Sequence, residues 1–209
     1  MECHDGLTMQ TLPLTLNKSR PHRPSWLMRG LARTMAAALA ALMSSAGIET
    51  QQRKLIFQLG TRTGEAGNAD CQDMGERWIE FESEVTGKPV CLHSLWLERP
   101  EANAPVLLYL HGARWDVSGS AQRMQQLHAL GFSVLGIDYR GFGRSTQELP
   151  SERSACEDAR AAWNWLAAQH PQAKRYVYGH SLGGAIAVQL ATQIDDASGV
   201  IVEGTFTSI

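Results

Sequence analysis

The chain lacks a charge surplus of either sign. Its 19 basic and 21 acidic side chains leave a net charge of −2, so neither a nucleic-acid-binding surface nor an acidic solvating tail is indicated. Cysteine is sparse. The four cysteines, Cys3, Cys71, Cys91 and Cys156, lie far apart, with no C-x-x-C pair and no histidine spacing that suggests zinc. They are expected to be thiols; a Cys71–Cys91 bridge would require export to an oxidising compartment. No internal repeat is present, and no motif calls for a metal or an organic cofactor. No long apolar run occurs either: Met35–Met43 is short and rich in alanine, too little to span a bilayer comfortably. Finally, the 28 residues after Ser181 contain no histidine.

What is present begins with a basic and then apolar N-terminus. Residues 17–33 carry Lys18, Arg20, Arg23, Arg29 and Arg33 and no acid, and Thr34–Ile48 carries no charge. Ser44, Ser45 and Ala46 then provide a small-residue exit. This order matches a secretory signal or a weak N-terminal anchor. Residues 1–50 are therefore read as a leader, and the chain is expected to be exported or membrane-associated through it. Two other readings stay open. One is an organellar transit peptide. The other is initiation at Met28, which would make the protein cytoplasmic. Residues 51–75 are polar and read as a linker, and 76–209 as the domain; 209 residues suffice for one sizeable core plus such an appendage.

Within the domain, strand and helix patterns alternate. Trp78–Ser83 and Val90–Leu97 flank the turn signal Thr86-Gly-Lys-Pro89 and predict an antiparallel hairpin. Val106–Leu110, Ser133–Ile137, Tyr176–Tyr178 and Val200–Val202 are continuous apolar runs, as expected of strands buried on both faces. Between them, Ser120–Leu130 predicts a helix with Met124, Leu127 and Leu130 on one face. Ser154-x-x-Glu157 predicts a capping box opening a helix that turns Ala155, Ala159, Ala162, Trp163 and Leu166 inward and ends at His170-Pro171. Leu182–Ile194 is apolar nearly all round and predicts a central helix. The fold class is α/β: an N-terminal hairpin plus a mostly parallel sheet with helices on both faces. Ligands in such sheets bind beyond the carboxyl ends of the strands.

The motif with chemical content is Gly179-His-Ser181-Leu-Gly183, set between a strand and a helix. A turn this tight admits only glycine at its flanks and lifts the Ser181 hydroxyl above the sheet. It also leaves the N–H of Leu182 at a helix N-terminus, free to stabilise an oxyanion. The loop His111-Gly112-Ala113-Arg114 follows a strand, and Ala113 stands where a second such N–H is needed. A serine nucleophile requires a base. His111 is a candidate, although a histidine there more often braces its loop. His180 adjoins Ser181 but is expected to point away, as successive strand side chains do. Asp138 and Arg140 follow the next strand and read as an ion pair supporting the loop rather than as substrate ligands. Arg114 and Trp115 are expected to border the site.

Four segments, Leu108-Tyr-Leu-His-Gly112, Gly136-Ile-Asp-Tyr-Arg-Gly-Phe-Gly-Arg-Ser145, Gly179-His-Ser-Leu-Gly-Gly184 and Glu203-Gly-Thr-Phe-Thr-Ser208, together resemble an α/β-hydrolase. The resemblance is to the serine-hydrolase branch that groups Bem46-like proteins, monoacylglycerol-lipase-like enzymes and the serine-aminopeptidase-like domain. It implies Ser181 as nucleophile, Ala113 and Leu182 as oxyanion donors, His111, Gly112, Asp138 and Arg140 as loop support, and no cofactor or metal. It further implies a small-molecule ester, amide or lipid-like substrate attacked through an acyl-enzyme. In that family a carboxylate and a histidine follow later, after two further strands, so the chain is expected to be incomplete, with its last parallel strand an uncovered edge. Glu203 is a conceivable acid, and Asp195 and Asp196 are expected to face solvent. Two other outcomes stand beside this one: an inactive binding module of the same fold, and activity with His111 or a partner's histidine as base.

Overall fold

A computed structural model describes residues 34–35, 45–59, 71–101 and 103–205. Most of the expected leader and part of the expected linker lie outside these residues. Ser45–Ile209 forms one compact unit, whose elements are described in chain order.

Helix α1 (Ser45–Phe57) comes first. It spans the last residues of the expected leader and the first of the expected linker. Its sequence is mostly polar and ends in Leu55-Ile56-Phe57, of which Phe57 is fully buried and meets Phe142 edge-on at 6.3 Å. Arg53 adds hydrogen bonds to the carbonyls of Leu149 and Pro150. Among the described residues no helix is long and apolar enough to cross a membrane.

Strands β1 (Gly75–Glu82) and β2 (Pro89–Leu97) form the expected hairpin, with Ile79 opposite Leu92. There follow β3 (Val106–Leu110), α2 (Ala121–Ala129), β4 (Ser133–Ile137), α3 (Glu152–Gln169), β5 (Arg175–His180), α4 (Leu182–Ala191) and β6 (Gly199–Glu203). The strand order is β1-β2-β4-β3-β5-β6, antiparallel as far as β2–β4 and parallel beyond. Every residue of β3 and β4 is buried, because helices cover both faces. On one face α3, α4 and Phe57 pack on Leu92, Leu108, Leu135 and Val177. On the other, Ala121, Met124 and Leu127 of α2 pack on Leu107, Tyr109 and Val134. β6 ends the order as expected, with Val200, Ile201 and Val202 exposed. Cys71, Cys91 and Cys156 are free thiols.

Two local expectations are corrected. The cap of α3 is Ser151, not Ser154: Ser151 Oγ accepts from the Ser154 N–H at 3.1 Å, and Ser154 Oγ accepts from the Ser151 N–H at 2.8 Å. Starting a turn earlier frees Glu157 to bind the Ser83 hydroxyl and the N–H groups of Glu84 and Val85. Leu130 lies past the end of α2 and is exposed, because the chain turns at Gly131, where φ is +101°.

Phe57 is the anchor of α1. Truncation to alanine empties a fully buried aromatic site, so Phe57→Ala is expected to cost about 3–5 kcal/mol in urea unfolding. An unchanged midpoint would show that α1 is not docked.

Candidate active site

The order of strands reverses at β3. The chain leaves β3 for β4 on one side, and returns through α3 to place β5 on the other. Loops leaving the C-terminal ends of β3 and β5 therefore face each other across a crevice. The loop after β3 holds Gly112 and the turn after β5 holds Ser181. They are so close that a Cβ on Gly112 would stand 3.2 Å from the Ser181 Cβ.

Ser181 has φ 54° and ψ −117°, a conformation costing about 1–3 kcal/mol for a non-glycine residue. Its surroundings impose it. A side chain on Gly179 would lie 2.2 Å from the carbonyl oxygen of Gly183, and one on Gly183 would lie 2.1 Å from that of Leu110. The turn is tied on both sides as well. The Ser181 N–H donates to the Glu203 carbonyl at 2.9 Å, and its own carbonyl accepts from the Gly184 N–H at 3.0 Å and the Thr205 hydroxyl at 2.8 Å.

Two N–H groups remain for an incoming oxyanion. Leu182 is the first residue of α4, so its N–H has no acceptor within the helix. Among the described residues the N–H of Ala113 has no acceptor either. They are the groups whose places in the sequence suggested oxyanion donors; a neutral N–H acts on an oxyanion by being aligned before the substrate arrives.

His111 braces. Its ring is fully buried between Tyr139 and Phe142, with Nδ1 bonded to the Gly112 carbonyl at 2.7 Å. That contact makes Nδ1 the donor. Nε2 lies 3.7 Å from Asp138, and among the described residues neither nitrogen is hydrogen-bonded to the Ser181 hydroxyl. Asp138 supports three elements: its carboxylate contacts His93 Nδ1 at 2.9 Å and accepts from the Val117 N–H at 2.6 Å, and its carbonyl accepts from Ser145 Oγ at 2.7 Å. Arg140 does not pair with Asp138, as the expected loop ion pair would have had it. It is buried with Asp158 at 2.6 Å and Glu157 at 2.6 Å, because its side chain passes to the α3 face. Burial pushes the Asp158 carboxyl up to about 6 against the pull of Arg140.

His180 also lies by the oxyanion loop: a Cβ on Gly112 would stand 3.4 Å from its Nδ1. Glu203 is bound through its carboxylate by Arg123 of α2 and by the Tyr178 hydroxyl. These two bonds hold it below the usual carboxylate range. Asp196 accepts from Trp163 Nε1 at 2.9 Å and pairs with Arg175, although its side chain is partly exposed as expected. Arg114 and Trp115 border a cavity of about 480 Å³, with Leu59, Phe142 and Leu149 on its other walls. Sequence reasoning placed Thr205 in a family segment without assigning it a contact, and did not reach Arg123 or Leu59, whose contacts join segments remote in the chain and which no motif marks.

The sequence model of the family described as serine aminopeptidase, S33, matches residues 101–209. An uncharacterized protein of Mycobacterium tuberculosis is 40% identical over 109 residues, which is 51% of this chain and 38% of that one. A lysophosphatidylserine lipase, ABHD12 of Danio rerio, is 35% identical over 121 residues, 54% of this chain and 31% of the lipase. The chain thus spans between 31% and 38% of the length of these curated relatives. An esterase of Pyrococcus furiosus superposes with a TM-score of 0.55 at 18% identity, covering 70% of this chain and 56% of the esterase. A putative hydrolase of Agrobacterium vitis superposes with a TM-score of 0.54 at 22% identity, covering 63% and 52%. Both show the same fold.

Burial pushes the His111 imidazole below its ordinary 6.5. On acidification the unfolded chain therefore takes up this proton first, and stability falls as the pH drops below about 6.5. Asp158 acts in the opposite sense, since its raised value favours the folded state on protonation. The His111 contribution is isolated by difference: His111→Gln is expected to flatten the decline between pH 7 and 5, measured by urea titration. Parallel pH profiles would contradict a neutral buried imidazole.

Proposed function

The chain belongs to the serine aminopeptidase, S33, family of the α/β-hydrolase superfamily, and on that premise we propose that it is a serine hydrolase acting on small ester or lipid-like substrates. The observation that carries the proposal is Ser181 in strained backbone at the bend between β5 and α4, with Gly112 of the loop that carries Ala113 packed so closely that an added Cβ there would stand 3.2 Å from its own. In this reading Ser181 Oγ adds to the substrate carbonyl carbon. The carbonyl oxygen becomes an oxyanion bound by the two N–H groups, and the alcohol leaves with the proton taken from Ser181. Water then hydrolyses the acyl-enzyme. Lipid-like esters are favoured over peptides because ABHD12, a relative with a named activity, is a lysophosphatidylserine lipase, and because apolar Leu59, Phe142 and Leu149 line the cavity beside the oxyanion loop.

The base is the open term. Among the described residues no histidine nitrogen is hydrogen-bonded to the Ser181 hydroxyl, and His111 is committed to its loop. The same observation favours a second reading, an inactive module that binds a ligand in the crevice.

The two separate on one experiment. A serine hydroxyl without a base reacts slowly, while the oxyanion hole retains part of its effect. The 209-residue chain, incubated with an alkyl fluorophosphonate, is expected to phosphonylate slowly at Ser181 with loss of fluoride. Added imidazole should speed the reaction about tenfold or more, and Ser181→Ala should abolish it by peptide mass spectrometry. No labelling under any condition leaves only the binding module.

Chain-length selectivity tests the cavity. Leu149→Trp, which fills it, is expected to slow labelling by a decyl phosphonate at least about fivefold while leaving an ethyl phosphonate nearly unaffected. Equal slowing of both would remove the cavity from the substrate path.

A further inference from the structure

Among the described residues three that are not glycine have positive φ: Gln58 at 49°, Arg114 at 74° and Ser181 at 54°. Ser181 is the nucleophile of the proposed reaction, and Arg114 directly follows the oxyanion donor Ala113. Gln58 lies more than fifty residues earlier, yet its side-chain oxygen accepts from Arg114 Nε. Two of the three strained residues thus hold each other.

The contact has a clear build. Helix α1 closes with a left-handed cap in which the Gln58 N–H donates to the Lys54 carbonyl at 3.0 Å. That turn brings the Phe57 carbonyl towards the oxyanion loop, where it accepts from the Arg114 N–H in a long bond of 3.4 Å. The Phe57 ring is buried against Phe142, and Phe142 meets the His111 ring edge-on at 5.1 Å. His111 in turn is bonded to the Gly112 carbonyl. The short segment Phe57–Leu59 therefore bears on Ala113 from both sides, through Arg114 after it and through Phe142, His111 and Gly112 before it. It leaves the Ala113 N–H itself unoccupied. Leu59 continues the segment into the wall of the cavity that Arg114 and Trp115 border.

A left-handed arginine is unfavourable unless its neighbours hold it. The Ala113 N–H shares its peptide with the Gly112 carbonyl, which His111 holds, and Arg114 fixes the peptide on the other side of Ala113. Released, Arg114 would relax towards ordinary backbone angles, turn the peptide linking it to Ala113 and displace Ala113 with it. We infer that Phe57–Leu59 is a positioning element of the active site, setting the direction of the Ala113 N–H by holding both peptides that flank Ala113, the later one through Arg114 and the earlier one through Phe142 and His111. This rests on the serine-hydrolase reading for its catalytic consequence, while the tie itself does not. Gln58 and Phe57 are positioning residues, since they act through Arg114 and not on substrate.

The test uses the opposite demands of stability and alignment. Glycine accepts positive φ without strain, so Gln58→Gly should leave the urea midpoint of the whole chain unchanged or raised. It removes the side-chain acceptor, however, and is expected to slow imidazole-assisted phosphonylation of Ser181 by roughly ten- to a hundredfold. That is within the effect of losing one oxyanion donor, about a hundred- to a thousandfold. Gln58→Glu keeps the acceptor and should retain the parental rate. A tie that merely stabilised the fold would lower midpoint and rate together. Parental labelling in Gln58→Gly would overturn the inference. A second readout stands apart from reactivity: the Arg114 amide should exchange with solvent slowly in the parent and faster in Gln58→Gly. If Arg114 exchanges at the unprotected rate in the parent, the segment does not hold the loop and the inference fails. If Ser181 proves unreactive in every form, the hydrolase reading fails, and amide exchange still decides the tie.

Discussion

Everything at the crevice follows from how closely α4 is pressed against the end of β3. The carbonyl oxygen of Leu110 occupies the place that a side chain at 183 would need, 2.1 Å from an added Cβ. Only glycine allows this approach, and only this approach brings the first N–H of α4 level with the loop that leaves β3. The strain at Ser181 is a result of the same closeness: a strand and a helix joined by one residue cannot meet without an unusual backbone angle. Hydrogen bonds from Gly184 and Thr205 to the Ser181 carbonyl, and from Ser181 to Glu203, hold the bend against relaxation.

Around that bend, charge is used for structure. Asp138 and Arg140, neighbours after β4, are both buried, and both face partners on other elements. Asp138 secures the loop carrying Ala113, and Arg140 secures α3 through Asp158 and Glu157. A buried charge is tolerated only when its bonds are satisfied, so each pins the segment that satisfies it. The proposed chemistry then falls to neutral groups, a hydroxyl and two amides, set in a rigid frame.

Much of this frame was legible in the sequence. Val106–Leu110 and Ser133–Ile137 read as strands buried on both faces because every residue is apolar or small, and the glycines at 179 and 183 pointed to the sharp bend. Ala155, Ala159, Ala162, Trp163 and Leu166 share one face at helical spacing and are buried as that spacing requires. What escaped notice depends on contacts between distant segments. Helix α1 is mostly polar and ends in the brief apolar patch Leu55-Ile56-Phe57, within which nothing in the sequence singles out Phe57 as the core residue and leaves Leu55 and Ile56 exposed. Ser151 and Ser154 are equally good caps on composition, and the choice between them is made by Glu157, whose carboxylate is wanted by Ser83 and Arg140. Arg140 and Asp138 were read as a pair because they are neighbours in sequence, whereas their side chains leave for different faces.

The carboxylate of Asp138 has one further consequence. One oxygen serves His93 of β2 and the other serves Val117 beyond β3, while the space beside it is so full that a side chain at Gly143 would come within 2.0 Å. Three stretches of chain share a single anion. Alterations at 93, 117 and 143 will therefore not combine as independent increments: once the anion is lost, the remaining changes find nothing left to disturb.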